Sequence, residues 1–247
     1  MKKQLLKSAL IAVAGVGLMA GGAMATPDYR LQQVFDDITV ATPSNPSGDS
    51  NIDVTADYIA DIADSYWSIG ATGGSVATLI IEIAGYANLN TFGIYDMANP
   101  ANFVTIFNGA AGQGDQAIVS ILADGSVKLN FTDTGVDFAG NAFGYFLNSP
   151  DGVFYSDTTL NPDQFDHMYA YQGNGDTVQL PTLAAGEFLS TEYILAWEDL
   201  IRGGDQDFTD FVVMVESVTP VPEPTTMLLF GTGLLGLAAA ARRRKNS

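Results

Sequence analysis

The chain has 247 residues, 47% of them hydrophobic, enough apolar side chain for a sizeable core in one or two domains. It contains no cysteine, which excludes a disulfide framework, a thiolate metal site and a cysteine nucleophile. Its formal charge is −18, but most bases sit at the extreme ends, so residues 26–220 set three bases (Arg30, Lys128, Arg202) against 27 acids, a formal −24 that repels nucleic acid and anionic lipid and attracts cations.

In chain order, Lys2, Lys3 and Lys7 precede an apolar run over residues 9–19, followed by small residues and Ala23-Met24-Ala25. That is the three-part layout of a secretory signal peptide, residues 1–25, cleaved after Ala25. The apolar run falls short of the ~20 residues that a membrane span needs. Residues 26–53 are polar and turn-rich, with TPSNPSGDS at 42–50 an exposed loop, and read as a linker that builds no core. Over residues 54–69, Tyr58, Ile59, Ile62, Tyr66 and Trp67 are spaced either for a short amphipathic helix or for an irregular strand.

From Ser75 onward the pattern is β. SVATLIIEIAGY, TFGIYD, NFVTIFNG, QAIVSILADG and SVKLNFTD are short apolar runs, each ended by Gly, Asn, Asp or an aromatic-polar step. Ala123-Asp124-Gly125-Ser126 is a strong hairpin turn because Asp-Gly supplies the positive φ that tight turns require. AFGYFLNSPDGVFYSD repeats the pattern around Ser149-Pro150-Asp151-Gly152, and HMYAYQG follows. About eight to ten short strands with frequent turns predict an all-β domain over residues 54–220, a β-sandwich or jelly-roll-like fold. Asp outnumbers Glu 22 to 6, which suits a loop-rich β protein better than a helical acidic one, although adaptation to high salt gives a similar bias.

The last strand pair, YILAWEDLIRGGDQDFTDFVVMV at 193–215, organises the rest. Alternation sends Tyr193, Leu195 and Trp197 to one face of the first strand and Phe211, Val213 and Val215 to one face of its partner, as core positions. Between them lie Glu198, Asp199, Asp205, Asp207 and Asp210, with Gly203-Gly204 supplying the turn. Carboxylates this close repel by about 1 kcal/mol per pair at ~4 Å in water and about 4 at an effective dielectric near 20, so a fold that gathers them needs a counter-charge. Ca²⁺, which takes roughly 6 to 8 oxygen ligands, fits that need, with Asp205, Asp207 and Asp210 as the leading ligands and Glu198 or Asp199 completing the shell. The spacing does not match an EF-hand loop, and a solvated acidic hairpin turn is the alternative.

These residues also carry a resemblance. AWEDL…GGDQDFTDFVVMVE resembles the closing signature of the domain-of-unknown-function family 4114, a secreted bacterial β domain, and NTFGIYD, AFGYFL and FYSDTTLNPDQFDHMYAYQG extend the similarity over about residues 79–218. The family has no established activity to carry over, so the resemblance implies architecture and export rather than chemistry.

The tail completes the layout. Val221-Pro222-Glu223-Pro224 is followed by the apolar stretch 225–241 and then by Arg242-Arg243-Arg244-Lys245. A helix over that stretch is roughly 26 Å long, within the tolerated range for a bilayer core of ~30 Å, and the basic cluster marks the cytoplasmic side. Residues 221–247 resemble the PEP-CTERM sorting signal, which implies recognition at Pro222, Glu223 and Pro224 by a membrane exosortase in bacteria that make exopolysaccharide. The expected location is the cell surface or extracellular matrix after transient inner-membrane anchoring.

No enzymatic chemistry stands out. His167, the single histidine, is flanked by Asp163 and Asp166 but has no G-x-S-x-G or comparable nucleophile setting, and one histidine is too few for a usual zinc site. The block 161–167 reads as a possible second cation loop. Carboxylate pairs at glycosidase spacing are inevitable among 27 acids and therefore uninformative. No glycine-rich phosphate loop is present. The chain reads as a non-catalytic, structural or adhesive surface protein. The alternatives are a glycoside hydrolase or a carbohydrate-binding module acting on exopolysaccharide, with Trp67, Tyr145, Tyr155, Tyr169 and Tyr171 as sugar platforms.

Overall fold

A computed structural model of the chain describes residues 27–70, 75–81 and 88–222, and over them the protein is mostly β with antiparallel sheets. The predicted signal peptide, the apolar stretch 225–241, Glu223 and Pro224 all lie outside the described residues.

The described chain opens with helix α1 (Tyr29–Ile38), makes one helical turn α2 (Asp61–Asp64), and then enters β1 (Trp67–Ile69) and β2 (Ser75–Ile81). Next come β3 (Thr91–Asp96), β4 (Asn99–Phe107), β5 (Gln116–Ile121), β6 (Ser126–Leu129) and β7 (Thr132–Asp137). β8 (Ala142–Ser149), β9 (Gly152–Tyr155), β10 (Met168–Gln172), β11 (Thr177–Val178) and β12 (Gly186–Glu187) follow, and β13 (Glu192–Trp197), β14 (Phe211–Glu216) and β15 (Val218–Pro220) close the fold. The two hairpin turns read from the sequence fall where expected, joining β5 to β6 and β8 to β9. At the first, Gly125 has φ +94°, and a Cβ there would meet the Phe138 carbonyl oxygen at 2.3 Å, so the position demands glycine twice over.

One large sheet runs β15-β1-β8-β3-β4, with β9 added beside β8, a second runs β10-β13-β14-β2-β5-β6-β7, and β11 pairs with β12 in a small two-stranded sheet. The facing sides of the two large sheets share one core. Trp67, Phe92, Ile94, Phe143, Tyr145 and Leu147 come from the first sheet and Met168, Tyr193, Leu195, Trp197, Phe211, Val213 and Val215 from the second. The six alternating positions predicted for the last strand pair are all in this core. Phe92 ties the layers together, stacking on Tyr145 at 5.5 Å and on Phe211 at 5.2 Å.

The opposite face of β13 and β14 is also buried, and this corrects the reading of residues 26–53 as a segment without a core. Leu31, Val34, Phe35 and Ile38 recur at i, i+3, i+4 and i+7 along α1 and form an apolar stripe. Joined by Ile52 and Val54, the stripe covers Ile194, Ala196, Val212 and Met214. Asp28 caps the helix by accepting from the Arg30 backbone N–H at 2.7 Å. The loop after α1 is largely exposed but tied down, since the Asp176 carboxylate accepts from the Asn51 backbone N–H at 2.8 Å. Residues 54–69 resolve the sequence ambiguity by using both elements, the short α2 and then β1.

Candidate cation site at the end of the last hairpin

β13 and β14 pair in the register Trp197↔Phe211, Leu195↔Val213 and Tyr193↔Val215, so Glu198 and Asp210 leave the sheet side by side. The turn between them is tight at Gly203 and Gly204, which have φ +74° and +43°. A Cβ on Gly203 would meet the Phe165 ring at 2.2 Å, and one on Gly204 would meet Glu198 Oε2 at 3.0 Å. Arg202, Gln206 and Phe208 also take positive φ, an uncommon run for residues with side chains. The chain therefore folds back closely over Glu198.

Glu198, Asp205 and Asp207 each offer a carboxylate oxygen within 4.8 Å of the other two. Glu198 is fully buried, and its Oε1 accepts from the Phe208 backbone N–H at 2.9 Å while Oε2 is buried with no hydrogen-bond partner. Asp207 Oδ1 accepts from the Thr209 N–H at 2.9 Å and from its hydroxyl at 2.7 Å. Asp199 and Asp210, also expected as ligands, are spent differently: Asp210 Oδ2 accepts from the Asp199 N–H at 3.0 Å, and Asp199 Oδ2 accepts from Asn90 Nδ2 at 2.9 Å.

The counter-charge that the acids require is already partly present, and its source was not foreseen. Arg30, in the first turn of α1, donates from Nη1 to Asp205 Oδ2 at 2.7 Å and to Asp207 Oδ2 in a shorter contact. Burial pushes Asp207 up, but the hydrogen bonds from Arg30 and Thr209 outweigh it and hold the carboxyl below its usual range. Glu198 has no such help. Burial, followed by the charge of the neighbouring Asp210 and its direct side-chain interaction and then by the charge of Asp207, pushes it up to about 9 against the opposing Phe208 N–H. Asp210 is pushed up to about 7, first by burial and then by Asp199 and Asp207.

His167 braces this end of the sheet. It is fully buried, its Nδ1 lies 3.1 Å from the Glu198 carbonyl oxygen, its Nε2 lies 3.1 Å from Asp163 Oδ2, and its ring stacks on Phe154 at 3.7 Å. Burial pulls its pKa down, with Asp163 opposing. In the block 161–167, read from the sequence as a second cation loop, Asn161 and Asp163 are engaged with backbone groups. Asp163 Oδ2 accepts from the Arg202 N–H at 2.6 Å, and Asn161 bonds the Tyr155 and Phe165 backbone. Of the aromatic residues expected as sugar platforms, Trp67, Tyr145, Tyr169 and Tyr171 are buried in the core, where they fill space between layers. Tyr155 instead borders a cavity of about 510 Å³ with Phe103 and Phe146.

The fold and the site together define an acidic, mostly β domain with a partly neutralised carboxylate cluster at one end of its last hairpin. Two family models match the chain. Residues 112–218 match the domain of unknown function DUF4114, and residues 220–245 match the PEP-CTERM protein-sorting motif. The match to the PEP-CTERM sorting motif thus lies directly behind the match to DUF4114, and the NTFGIYD block at 90–96 lies upstream of the matched residues. The motif is the recognition signal for an exosortase, so this is an exported, exosortase-sorted protein. No curated protein and no solved structure matches it.

The perturbed acids set a pH dependence whose sign is fixed. Glu198 and Asp210 keep their protons to higher pH folded than unfolded, so their contribution is fully present below the ordinary carboxylate range and is lost as pH rises through about 7 and on to about 9. Asp207 acts oppositely, its contribution being lost only as pH falls below the ordinary range. In metal-free buffer the urea midpoint should fall between about pH 5.5 and about pH 8.5, and Glu198→Gln should flatten that fall. A midpoint that rises over the interval, or an equal slope in the variant, contradicts the assignment.

Proposed function

We propose that the mature chain is a non-catalytic component of the cell surface or extracellular matrix, a β-sandwich that binds Ca²⁺ at Glu198, Asp205 and Asp207 in a structural or adhesive role. The observation that carries the calcium reading is Glu198, whose buried Oε2 has no hydrogen-bond partner and which with Asp205 and Asp207 forms a trio of carboxylates within 4.8 Å. A buried polar atom without a partner is costly, and a hard cation accepting three carboxylate oxygens would satisfy it. Arg30 supplies one charge against three and is half-exposed, free to turn aside when an ion enters. Binding would also displace the proton that burial keeps on Glu198, so affinity should rise with pH. The non-catalytic reading is supported by the burial of the single histidine and the lack of cysteine.

Extracellular calcium modules bind with dissociation constants of about 10⁻⁴ to 10⁻³ M, and an ion at ~100 times its constant stabilises the native state by about 2.7 kcal/mol. Thermal unfolding in Ca²⁺ should therefore run well above that in EDTA, and the gap should close in Asp205→Asn with Asp207→Asn. Mg²⁺ at equal ionic strength controls for general screening of the acidic body. An equal shift with both ions, or one that survives the double substitution, leaves a solvated acidic turn.

The processing step belongs to the same proposal: residues 225–241 anchor the exported chain transiently, and the exosortase cuts near Pro222-Glu223-Pro224. Mass spectrometry of the extracellular protein should then find no peptide from residue 225 onward. Intact Arg-rich ends on most molecules would refute the cut.

A further inference from the structure

Strand alternation gives the first large sheet a second face, on the side away from the shared core. There the registers Thr105↔Gly93, Gly93↔Phe146 and Phe146↔Tyr155 set one row across β4, β3, β8 and β9, and Thr91↔Asn148 and Asn148↔Val153 set the next. Gly93 leaves a gap in the first row. A Cβ there would meet the Val104 carbonyl oxygen at 2.2 Å and the Phe146 ring at 2.7 Å, so the missing side chain is what lets that ring lie over β3. The result is a cavity of about 510 Å³ bordered by Phe103, Phe146, Tyr155, Asn148, Thr91 and Thr105. Small-molecule sites span ~300 to 1,000 Å³.

The lining limits what this cavity can hold. Its aromatic surface is held in place: Phe103 is 53% exposed yet packs edge-on against Phe146 at 5.5 Å, and Tyr155 packs edge-on against Tyr95 at 5.1 Å. Rings braced in this way lose little side-chain freedom when a ligand settles on them. Hydrogen-bonding groups lie beside the rings. Asn148 Nδ2 donates to Thr91 Oγ1 at 3.2 Å, which orients the amide and leaves its oxygen and second N–H for a ligand. Among the described residues, the Thr105 and Tyr155 hydroxyls have no hydrogen-bond partner. Charge is missing from the lining: none of the described residues bordering the cavity is charged, although residues 26–220 hold 27 acids. A cation has better sites elsewhere on this surface and an anion is repelled by the body as a whole, so the cavity suits a neutral ligand. A lipid tail or an apolar peptide would leave the amide and hydroxyls unpaired. A pyranose offers both complements, an apolar face of C–H bonds for the rings and a rim of hydroxyls for the polar groups.

We infer that this cavity binds an uncharged glycan, with Phe103 and Tyr155 against the sugar rings and Asn148, Thr91 and Thr105 bonding their hydroxyls. It lies on the face of the first sheet opposite the core, away from the carboxylate cluster at the β13–β14 turn. The inference rests on the adhesive role proposed above, to which it gives a ligand, and is independent of the calcium reading.

The test is affinity electrophoresis of the exported protein through gels holding dextran, laminarin, mannan or hydroxyethyl cellulose, with alginate as the anionic comparison. At least one neutral polymer should retard the wild type, and alginate should not. Phe103→Ala should weaken that binding by about tenfold, and Tyr155→Phe, which removes only a hydroxyl, by about threefold. Circular dichroism checks the fold of each variant. Asn148→Ala, from the next row of the same face, should also weaken binding and serves should Phe103→Ala fold poorly. Gels run in EDTA and in Ca²⁺ keep the two sites apart, because binding that Phe103→Ala weakens in either buffer supports the glycan site. Failure of all the neutral polymers in both buffers overturns it and leaves the Ca²⁺-induced thermal shift to be judged alone. Retardation equal in wild type and both cavity variants, or stronger in alginate than in every neutral polymer, also overturns it. Sedimentation velocity without sugar addresses the competing occupant: a dimer that Phe103→Ala dissociates makes the cavity a contact between copies and refutes the inference.

Discussion

Glu198 is carried into a fully buried position and Asp210 into a half-buried one because they directly follow and precede two strands whose side chains at Tyr193–Trp197 and Phe211–Val215 are all inside. β13 and β14 are buried on both faces, between the two sheets on one side and beneath α1 on the other. The strand ends therefore cannot drift outward to hydrate their acids without unseating Trp197 and Phe211. Carboxylates held near one another in a medium less polarisable than water must be neutralised by a proton, a base or an ion. The construction of this end of the molecule follows from that requirement.

Each neighbour meets part of it. Arg30 reaches Asp205 and Asp207 from a helix whose apolar stripe is buried against the same two strands, so one element supplies both the cover and the charge. Asp163 is turned away from the cluster and used to hold the Arg202 backbone and the His167 ring, while His167 holds the Glu198 carbonyl. Asp64 is a second buried acid, whose backbone carbonyl is held by the Trp67 indole and whose carboxylate oxygens have no hydrogen-bond partner. In a body with three bases and 27 acids, Arg30 is the base that ion-pairs with the Asp205 and Asp207 carboxylates among the described residues.

Much of the sheet architecture could be read from residues alone. The Asp124-Gly125 and Asp151-Gly152 turns placed two hairpins, and period-two alternation placed Tyr193, Leu195, Trp197, Phe211, Val213 and Val215 in the core, because register and turn chemistry are local properties. The helix over Tyr29–Ile38 was missed because its surroundings are polar and turn-rich, although Leu31, Val34, Phe35 and Ile38 carry the helical period. A second signal was available: the unbroken runs YILAW and FVVMV are too apolar for strands with one wet face, so something had to cover Ile194, Ala196, Val212 and Met214. At the site, the acids announced themselves by density, but their separation into the Glu198 trio and the Asp199–Asp210 pair depends on backbone φ that composition does not encode. Arg30 is 175 residues from Asp205, and no local pattern joins them. No sequence pattern marks Asp64, because its burial comes from the packing of α2 onto distant loops.

The claim that a positive charge from α1 stands in for an ion at the hairpin turn is tested most directly by a double-mutant cycle between Arg30→Met and Asp207→Asn, read by urea unfolding in EDTA and again in saturating Ca²⁺. The account predicts a favourable coupling on the order of 1 kcal/mol or more in EDTA, because Asp207 is nearly buried, and a clearly smaller one in Ca²⁺, where the ion takes over the carboxylate. Additivity within about 0.3–0.5 kcal/mol in EDTA, or a coupling unchanged by Ca²⁺, would contradict it.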